Sequence, residues 1–480
     1  MNDLSTVELG ATRAAADPSA LERNTLRILG CIPGLRGLAP SRRVITAMRG
    51  GTWTMAGYGA SQILKLAATV TLARMLAPQA FGLVALVTVF LSGLEMLSDL
   101  GIGMDVVQHP RGDDPLFINT AFLIQAGRGV ILWAIATALA YPFARFYHQP
   151  AVLLLLIVGS LSVPLRGLTS GSMWGLTRHV QLGKYNLLAT GSDFFGFLVS
   201  LAWALVSPTA WALVVGRVAA AFALTVASHV IASSAVSMKW DVSAAKDIFA
   251  FGTGMFVSTA TYFLGGEAER LIVGKFVTLL ELGCFALALS ISSAAAKGLQ
   301  QIVVQVFFPM MSDSLRGDRE AAVGHFKKAR HVLLVLSACV AVAFIVASHL
   351  FVHLVLGPKY TEAGWMLQLL GVRGAFELFI SVTASMLFAL GTSRYAAIGN
   401  IVKLVFLAVG LSVAFGHFGF REALWVLTLA PLANYIPLLY GLRRQCGQVF
   451  SAELASFAAL VTITALTALV VQIFLRSGGF

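Results

Sequence analysis

Charged residues are scarce in this chain. Only 12% of its 480 residues are Asp, Glu, Lys or Arg, whereas soluble domains carry about 25%. The mean hydropathy is +0.83, and apolar runs of about 20 residues, long enough to cross a bilayer, recur along the sequence. This composition excludes a water-soluble multidomain enzyme and indicates an integral membrane protein.

Cysteine is also scarce, and the sequence patterns of common catalytic and metal sites are missing. The four cysteines have neither disulfide nor metal-ligand spacing, so we interpret them as apolar packing residues; they are Cys31, Cys284, Cys339 and Cys446. The sequence contains no HExxH, GxSxG, P-loop or zinc-finger pattern. We therefore expect no metal, no cofactor and no enzyme activity.

The hydrophobic runs predict an all-α integral membrane protein of about 12–14 helices. The first six spans are expected near 50–73, 82–104, 116–142, 151–172, 185–206 and 209–232. The second series is expected near 250–274, 279–306, 332–356, 364–390, 395–416, 422–441 and 453–475. The expected divisions are a cytoplasmic tail, two six-helix lobes and one added helix, at 1–48, 49–240, 241–445 and 446–480.

One stretch of the sequence returns about two hundred residues later. The second stretch is EAERLIVGKFVTLLELGCFALAL, at Glu267–Leu289. An ungapped superposition of Lys65–Leu86 on this region matches Arg74 with Lys275 and Gly82 with Gly283. In both copies an apolar helix ends in a cation, and a glycine lies early in the next apolar helix. The repeat predicts two lobes in parallel orientation, related by an axis along the membrane normal, as in transporters that rock two bundles around a central site.

The net charge of +12 reflects membrane topology. If the tail is inside and alternate loops face in, inside cations outnumber outside ones by about three to one, as the positive-inside rule requires. The inside set includes those of a longer loop expected at Pro309–Arg330, and nucleic-acid binding is not implied. The outside cations are Arg74, Arg145, Arg270, Lys275, Lys359, Arg421 and Arg476.

Ionisable residues at membrane depth usually face a protein interior or a water-filled cavity. The candidate substrate-binding cations are Lys65, Arg128, Arg217, Lys297, Arg373 and Lys403. The candidate ion-coupling acids are Glu95, Asp99, Asp193, Glu267 and Glu269. Two interpretations stay open: these residues line a polar cavity for an anion such as a diphosphate, or they pair between helices and fix the packing.

Three local spacings refine this set. Arg373 and Glu377 are four residues apart, which favours a pair on one helix face. Glu95 and Asp99 have the same spacing with like charge, which suits proton or sodium coupling, unless Asp99 lies in a solvated turn at a helix end. Asp113-Asp114 is interpreted as a solvated turn and not as the acidic pair of a metal-dependent sugar transferase.

Several stretches resemble one family. They are LARMLAPQAFGLVAL at Leu72–Leu86, LSDLGIGMDVVQ at Leu97–Gln108, EAERLIVGKFVTLLELGCFALA at Glu267–Ala288, FPMMSDSLRGDRE at Phe308–Glu320 and VLGPKYTEAGWMLQLL at Val355–Leu370. On these motifs, over about residues 50–445, the chain resembles the Wzx-type oligosaccharide flippases. These are polysaccharide biosynthesis proteins of the multidrug/oligosaccharidyl-lipid/polysaccharide exporter (MOP, MATE-like) superfamily.

The resemblance implies a transporter of two six-helix lobes around a basic cavity, in the bacterial inner membrane with a cytoplasmic N-terminus. The implied substrate is an undecaprenyl-diphosphate-linked oligosaccharide for exopolysaccharide or lipopolysaccharide biosynthesis. The polysaccharide polymerase and export machinery are candidate partners. Where the family often has Asn and Asp before the Arg of the seventh helix, this chain has Glu267 and Glu269 before Arg270.

Two alternatives remain from the sequence. One is a peptidoglycan-precursor flippase or a cation-coupled drug exporter of the same superfamily. The other is a membrane enzyme, either a polysaccharide polymerase or a lipid-sugar transferase, but such enzymes carry a large catalytic outside loop and every outside loop expected here is short.

Overall fold

The secondary structure that the computed structural model describes is helical throughout. It describes residues 42–179, 181–232, 239–266, 268–303, 307, 311, 314 and 319–476. The N-terminal half contains α1 (Arg42–Met75), α2 (Pro78–Met96), α3 (Ile102–Gln108), α4 (Pro115–Phe146), α5 (Pro150–Ser160), α6 (Ser162–Gly167), α7 (Ser172–Arg178), α8 (Leu182–Val206) and α9 (Trp211–Val230).

The C-terminal half repeats this plan and adds one helix. It contains α10 (Val242–Gly266), α11 (Ala268–Phe276), α12 (Leu279–Ile302), α13 (Arg319–Phe351), α14 (Ala363–Ala389), α15 (Arg394–His417), α16 (Phe420–Gln445) and α17 (Gly447–Arg476). A π-helical turn, Val352–Leu356, and a short 3-10 turn, Pro358–Tyr360, connect α13 to α14.

Among the described residues, eleven helical segments are long and apolar enough to cross a membrane. They account for eleven of the thirteen expected spans. The other two expected spans fall on α1 and on α10–α11, which are helical but not among the eleven. Both contain ionisable residues of the candidate site, Lys65 in α1 and Glu269 in α11.

The helix boundaries agree with the predicted repeat. α1 ends at Met75 and α2 begins at Pro78, and at the same offset α11 ends at Phe276 and α12 begins at Leu279. Different residues start the two matching helices. Pro78 occupies the first turn of α2, where it needs no backbone donor, while the side chain of Thr278 accepts a hydrogen bond from the Glu281 N–H in a capping box at α12.

The two halves meet where α2 crosses α12, at the two glycines that the repeat aligns. A Cβ on Gly82 would lie 2.4 Å from the Leu279 carbonyl oxygen, and a Cβ on Gly283 would lie 1.8 Å from the Pro78 carbonyl oxygen. Neither position has room for a side chain, because the opposing atoms are backbone. Small residues let membrane helices approach this closely, so the repeated glycines set the contact between the halves.

The expected inside loop at Pro309–Arg330 is wrong in its second part. α13 begins at Arg319, so Arg330 lies about three turns inside a helix and its side chain is buried. It forms an ion pair with Glu453 of α17 and donates hydrogen bonds to the Phe379 carbonyl oxygen and the Tyr435 hydroxyl. The basic run KKAR suggested a solvated loop, but a partner more than a hundred residues away makes burial of this cation possible.

We predict that alanine at Gly283 forces α2 and α12 apart. Overpacking of this kind costs about 1–3 kcal/mol, and Gly283→Ala is expected to lower the midpoint of thermal unfolding in detergent. Gly127→Ala in α4 is the matched control, because nothing lies within 4 Å of its added Cβ; alanine there should leave the midpoint unchanged or raise it. Equal midpoints for the two variants would contradict the close crossing.

We also predict that α17 depends on the buried ion pair. Glu453→Gln leaves the Arg330 guanidinium without a counter-charge, which costs about 3–5 kcal/mol for a buried pair and should release α17, detectable as faster backbone hydrogen exchange. The control replaces both partners, Arg330→Met with Glu453→Leu, and should recover most of the lost stability because no buried charge remains. A double variant as unstable as the single one would argue against this explanation.

Candidate functional site

A polar cavity of about 380 Å³ lies within the C-terminal half. Its walls come from α10, α11, α12, α14, α15 and α16, so helices from both ends of this half converge on it. Three of the six predicted substrate-binding cations line it together. The charged residues of the wall are Glu269, Arg270, Lys297, Arg373, Glu377 and Lys403.

Arg373 is the centre of the charged wall. Its Nη1 lies 2.8 Å from Glu269 Oε1 and its Nε lies 3.1 Å from Glu377 Oε1. Arg373 and Glu269 are buried, and Glu377 is partly open to the cavity. The local pair of Arg373 with Glu377 expected from the spacing is therefore confirmed, and the second carboxylate comes from α11.

Lys297 and Lys403 differ from Arg373 in having no carboxylate in contact. Both line the cavity, and within the described part of the chain neither ammonium forms an ion pair. Lys297 is exposed and Lys403 is half-buried. The charged wall has four cations and two carboxylates and is therefore net positive, and Lys297 and Lys403 are its cations that can bind an anion.

The cavity wall also carries uncharged hydrogen-bonding groups that the sequence did not single out, Asn400 and Asn434. Asn434 Nδ2 of α16 donates to Asn400 Oδ1 of α15 at 2.7 Å. The two helices approach closely because a Cβ on Gly399 would lie 2.7 Å from the Asn434 carbonyl oxygen. In the sequence, the available signal for these two residues was an asparagine inside an apolar run. Such groups suit sugar hydroxyls, since each amide both donates and accepts.

Two other predicted cations lie in the N-terminal half, outside this cavity. Arg128 of α4 donates from Nη2 to the Glu95 carbonyl oxygen at 2.5 Å and to Ser98 Oγ at 3.1 Å. Arg217 of α9 donates from Nε to Ser162 Oγ at 3.3 Å. Each guanidinium is thus held by neutral acceptors between helices.

Lys65 forms an ion pair with Asp193, one of the predicted coupling acids, at 3.3 Å. The sequence showed no acid within one turn of Lys65, and the partner comes from α8 instead. Glu95 has a buried Oε1 without a hydrogen-bond partner among the described residues. Glu267, another predicted coupling acid, lies outside the described residues.

Asp99 does not share a helix face with Glu95, because α2 ends at Met96. Its Oδ1 accepts a hydrogen bond from the Gly101 N–H at 2.9 Å, and Gly101 has φ +61, a conformation that favours glycine. The sequence left open whether Asp99 pairs with Glu95 on one helix face or lies in a turn at a helix end. The structure places it in the turn.

Asp113 and Asp114 lie in a turn with basic partners, in agreement with the turn expected from the sequence. Asp114 caps α4 by accepting from the Leu116 N–H at 2.9 Å, and Asp113 pairs with Arg178 at 2.9 Å. Arg111 joins Asp114 to Asp241, with its Nη2 2.7 Å from Asp241 Oδ2. Hydrogen bonds from Arg111 lower the pKa of Asp241 to about 2 and hold that of Asp114 below its ordinary value.

Comparisons with known proteins give the family. Residues 71–364 match the polysaccharide biosynthesis protein family. The chain is 19% identical over 348 residues to the teichuronic acid biosynthesis protein TuaB of Bacillus subtilis, covering 71% of each chain. It is 21% identical to the lipopolysaccharide biosynthesis protein WzxC of Escherichia coli, covering 68% of this chain and 66% of that one. It is 22% identical to the succinoglycan biosynthesis transport protein ExoT of Rhizobium meliloti, covering 59% and 57%.

Solved structures give the fold. The lipid II flippase MurJ in an inward closed conformation has a TM-score of 0.64 at 14% identity, over 90% of this chain and 99% of that one. A multidrug resistance MATE family transporter of the MOP superfamily in an inward-facing conformation has a TM-score of 0.61 at 14% identity, over 82% and 95%. The predicted fold class is confirmed. The chain belongs to the polysaccharide biosynthesis protein family and has the all-helical, multi-span membrane fold of the MATE and MurJ structures.

Proposed function

We propose that this transporter is a flippase for undecaprenyl-diphosphate-linked oligosaccharide repeat units of exopolysaccharide or lipopolysaccharide biosynthesis. It moves them from the cytoplasmic to the periplasmic leaflet of a bacterial inner membrane. The observation that carries the proposal is the C-terminal cavity, whose wall has four cations and two carboxylates, with Lys297 and Lys403 lining it beside an arginine that is paired with both glutamates.

The cavity chemistry fits a diphosphate joined to sugars. Lysine ammonium groups bind phosphate oxygens as mobile point charges, and Lys297 and Lys403 come from different helices, so they can contact the diphosphate from two sides. The amides of Asn400 and Asn434 offer donors and acceptors to sugar hydroxyls. The polyprenyl tail needs no polar site, because it remains in the lipid.

The proposal includes the topology and the division of the chain. The N-terminus is placed in the cytoplasm, and the boundaries are a tail at 1–48, lobes at 49–240 and 241–445, and an added helix at 446–480. The boundary between the two lobes falls between α9, which ends at Val230, and α10, which begins at Val242.

The two remaining parts of the site assignment stay predictions. Lys65, Arg128 and Arg217 are proposed to guide the substrate through the N-terminal half, where each already has a protein partner. Glu269 is proposed as a coupling acid, because protonation would weaken its pair with Arg373 and change the charge of the cavity. The driving force is then differential binding of substrate or ion to two conformations.

We predict that Lys297→Ala combined with Lys403→Ala abolishes polysaccharide export at unchanged protein levels in the membrane. A hydrogen bond to a charged group contributes about 1.5–3 kcal/mol, so each lysine should account for about a tenfold loss in binding or more. Lys246→Ala is the control, because it removes an exposed cation outside the cavity. Normal export by the double variant would contradict the assignment of the headgroup site.

A deletion of the gene in the native host tests the function itself. Complete diphosphate-linked oligosaccharide should accumulate in the cytoplasmic leaflet while surface polymer disappears. Repeat units that reach the periplasmic leaflet without polymerisation would instead indicate a polymerase. If the deletion stops growth and surface polysaccharide is not selectively lost, the peptidoglycan-precursor flippase is favoured.

A further inference from the structure

The two cations that the repeat aligns make equivalent contacts across the two halves. Arg74, at the end of α1, donates from Nε to the Val355 carbonyl oxygen at 2.7 Å and from Nη2 to the Leu354 carbonyl oxygen at 2.8 Å. Lys275, at the end of α11, donates from Nζ to the Phe146 carbonyl oxygen at 2.5 Å. Each cation therefore binds the chain of the opposite half.

The acceptors are the last carbonyl groups of the third long helix of each half. Phe146 is the final residue of α4, and Val355 lies in the π-helical turn that ends α13. Carbonyl groups in a last helical turn have no intrahelical donor, and the helix dipole places partial negative charge there. A cation from the other half satisfies both the hydrogen bonds and the charge.

Two tyrosines repeat the same exchange beside the cations. Tyr147, directly after α4, donates its hydroxyl to the Leu271 carbonyl oxygen of α11 at 2.8 Å. Tyr360, just before α14, donates to the Leu76 carbonyl oxygen after α1 at 3.1 Å. Burial raises the pKa of Tyr147 to about 12 and also raises that of Tyr360, so both phenols keep the proton that they donate.

An apolar layer lies next to these four side chains and also joins the halves. It includes buried residues from both sides, among them Leu76 and Leu86 from the N-terminal half and Phe285 and Leu356 from the C-terminal half. The α2–α12 crossing at the repeated glycines lies at the same end of the molecule. Polar contacts, apolar contacts and backbone contact thus close one end of the space between the halves.

We propose that Arg74, Lys275, Tyr147 and Tyr360 form a two-fold gate that must break to open this end of the transport path. The gate is built to open, because its five acceptors are neutral carbonyl groups, Arg74 is exposed and Lys275 is only half-buried. Water can replace a carbonyl acceptor at such a cation, whereas opening across a buried ion pair such as Arg330 with Glu453 would strand a charge. On the predicted topology, these residues close the periplasmic side.

The inference depends on the transporter class of the chain and not on the proposed substrate. It assigns a role to four residues that do not line the C-terminal cavity, and it can be tested without any substrate. Spin labels at Thr209→Cys and Glu422→Cys report the separation of the halves, because both positions are exposed, at the gate end and in different halves. The background replaces the four native cysteines with alanine.

The distance between the two spin labels is measured by pulsed electron–electron double resonance in nanodiscs. We expect Arg74→Ala with Lys275→Ala to add a population with a longer distance. The ratio of the long to the short population should rise about tenfold or more, since charged hydrogen bonds are lost on both sides. Tyr147→Phe with Tyr360→Phe keeps both rings and should shift the ratio in the same direction by a smaller factor.

The matched control is Arg145→Ala with Lys359→Ala. It removes two exposed positive charges from the same end of the molecule, one from each half, and should leave the distances unchanged. The proposal is overturned if the Arg74 and Lys275 variant, eluting as a folded protein, has the distance distribution of the control. If that variant does not fold, an unchanged distribution in the tyrosine variant overturns the proposal.

Discussion

The contact between the backbones of α2 and α12 is the constraint on which the arrangement of the two halves depends. Membrane helices gain little from hydrophobic contact with one another, because lipid is as apolar as a leucine side chain, so close packing has to supply the association. Glycines at positions 82 and 283 permit carbonyl oxygens to approach where a Cβ would collide. This short separation brings Arg74 and Lys275 within reach of helix ends in the opposite half.

The C-terminal half contains two kinds of buried arginine. One stabilises helix packing, and the other lies at the wall of the candidate binding cavity. Arg330 is buried against Glu453, Tyr435 and the ring of Phe379, and it does not line the C-terminal cavity. Arg373 also has carboxylate partners, but Glu377 opens into a cavity that two further lysines share. A membrane-depth cation is therefore informative about substrate binding only when its surroundings contain space and unneutralised charge.

Much of the architecture was accessible from the sequence. Hydrophobic run length predicted the helical membrane fold, and the spacing of a cation and a glycine predicted the repeat, whose helix boundaries recur at the same offset. The pair of Arg373 and Glu377 was predictable because residues four apart share a helix face. The partners of Lys65 and Arg330 were not, since Asp193 and Glu453 are distant in sequence and only helix packing brings them close.

The sequence by itself determined that the chain crosses a membrane repeatedly, because long apolar runs with little charge are stable only in a lipid bilayer. It also determined that the chain has two related halves. Only the tertiary structure decided which ionisable groups are neutralised and which face a cavity. It also decided that the repeated cations bind helix ends across the halves. The physical reason is that helix periodicity is local, whereas the cost of an ionised group depends on every charge, dipole and space around it, and these come from helices far apart in the chain.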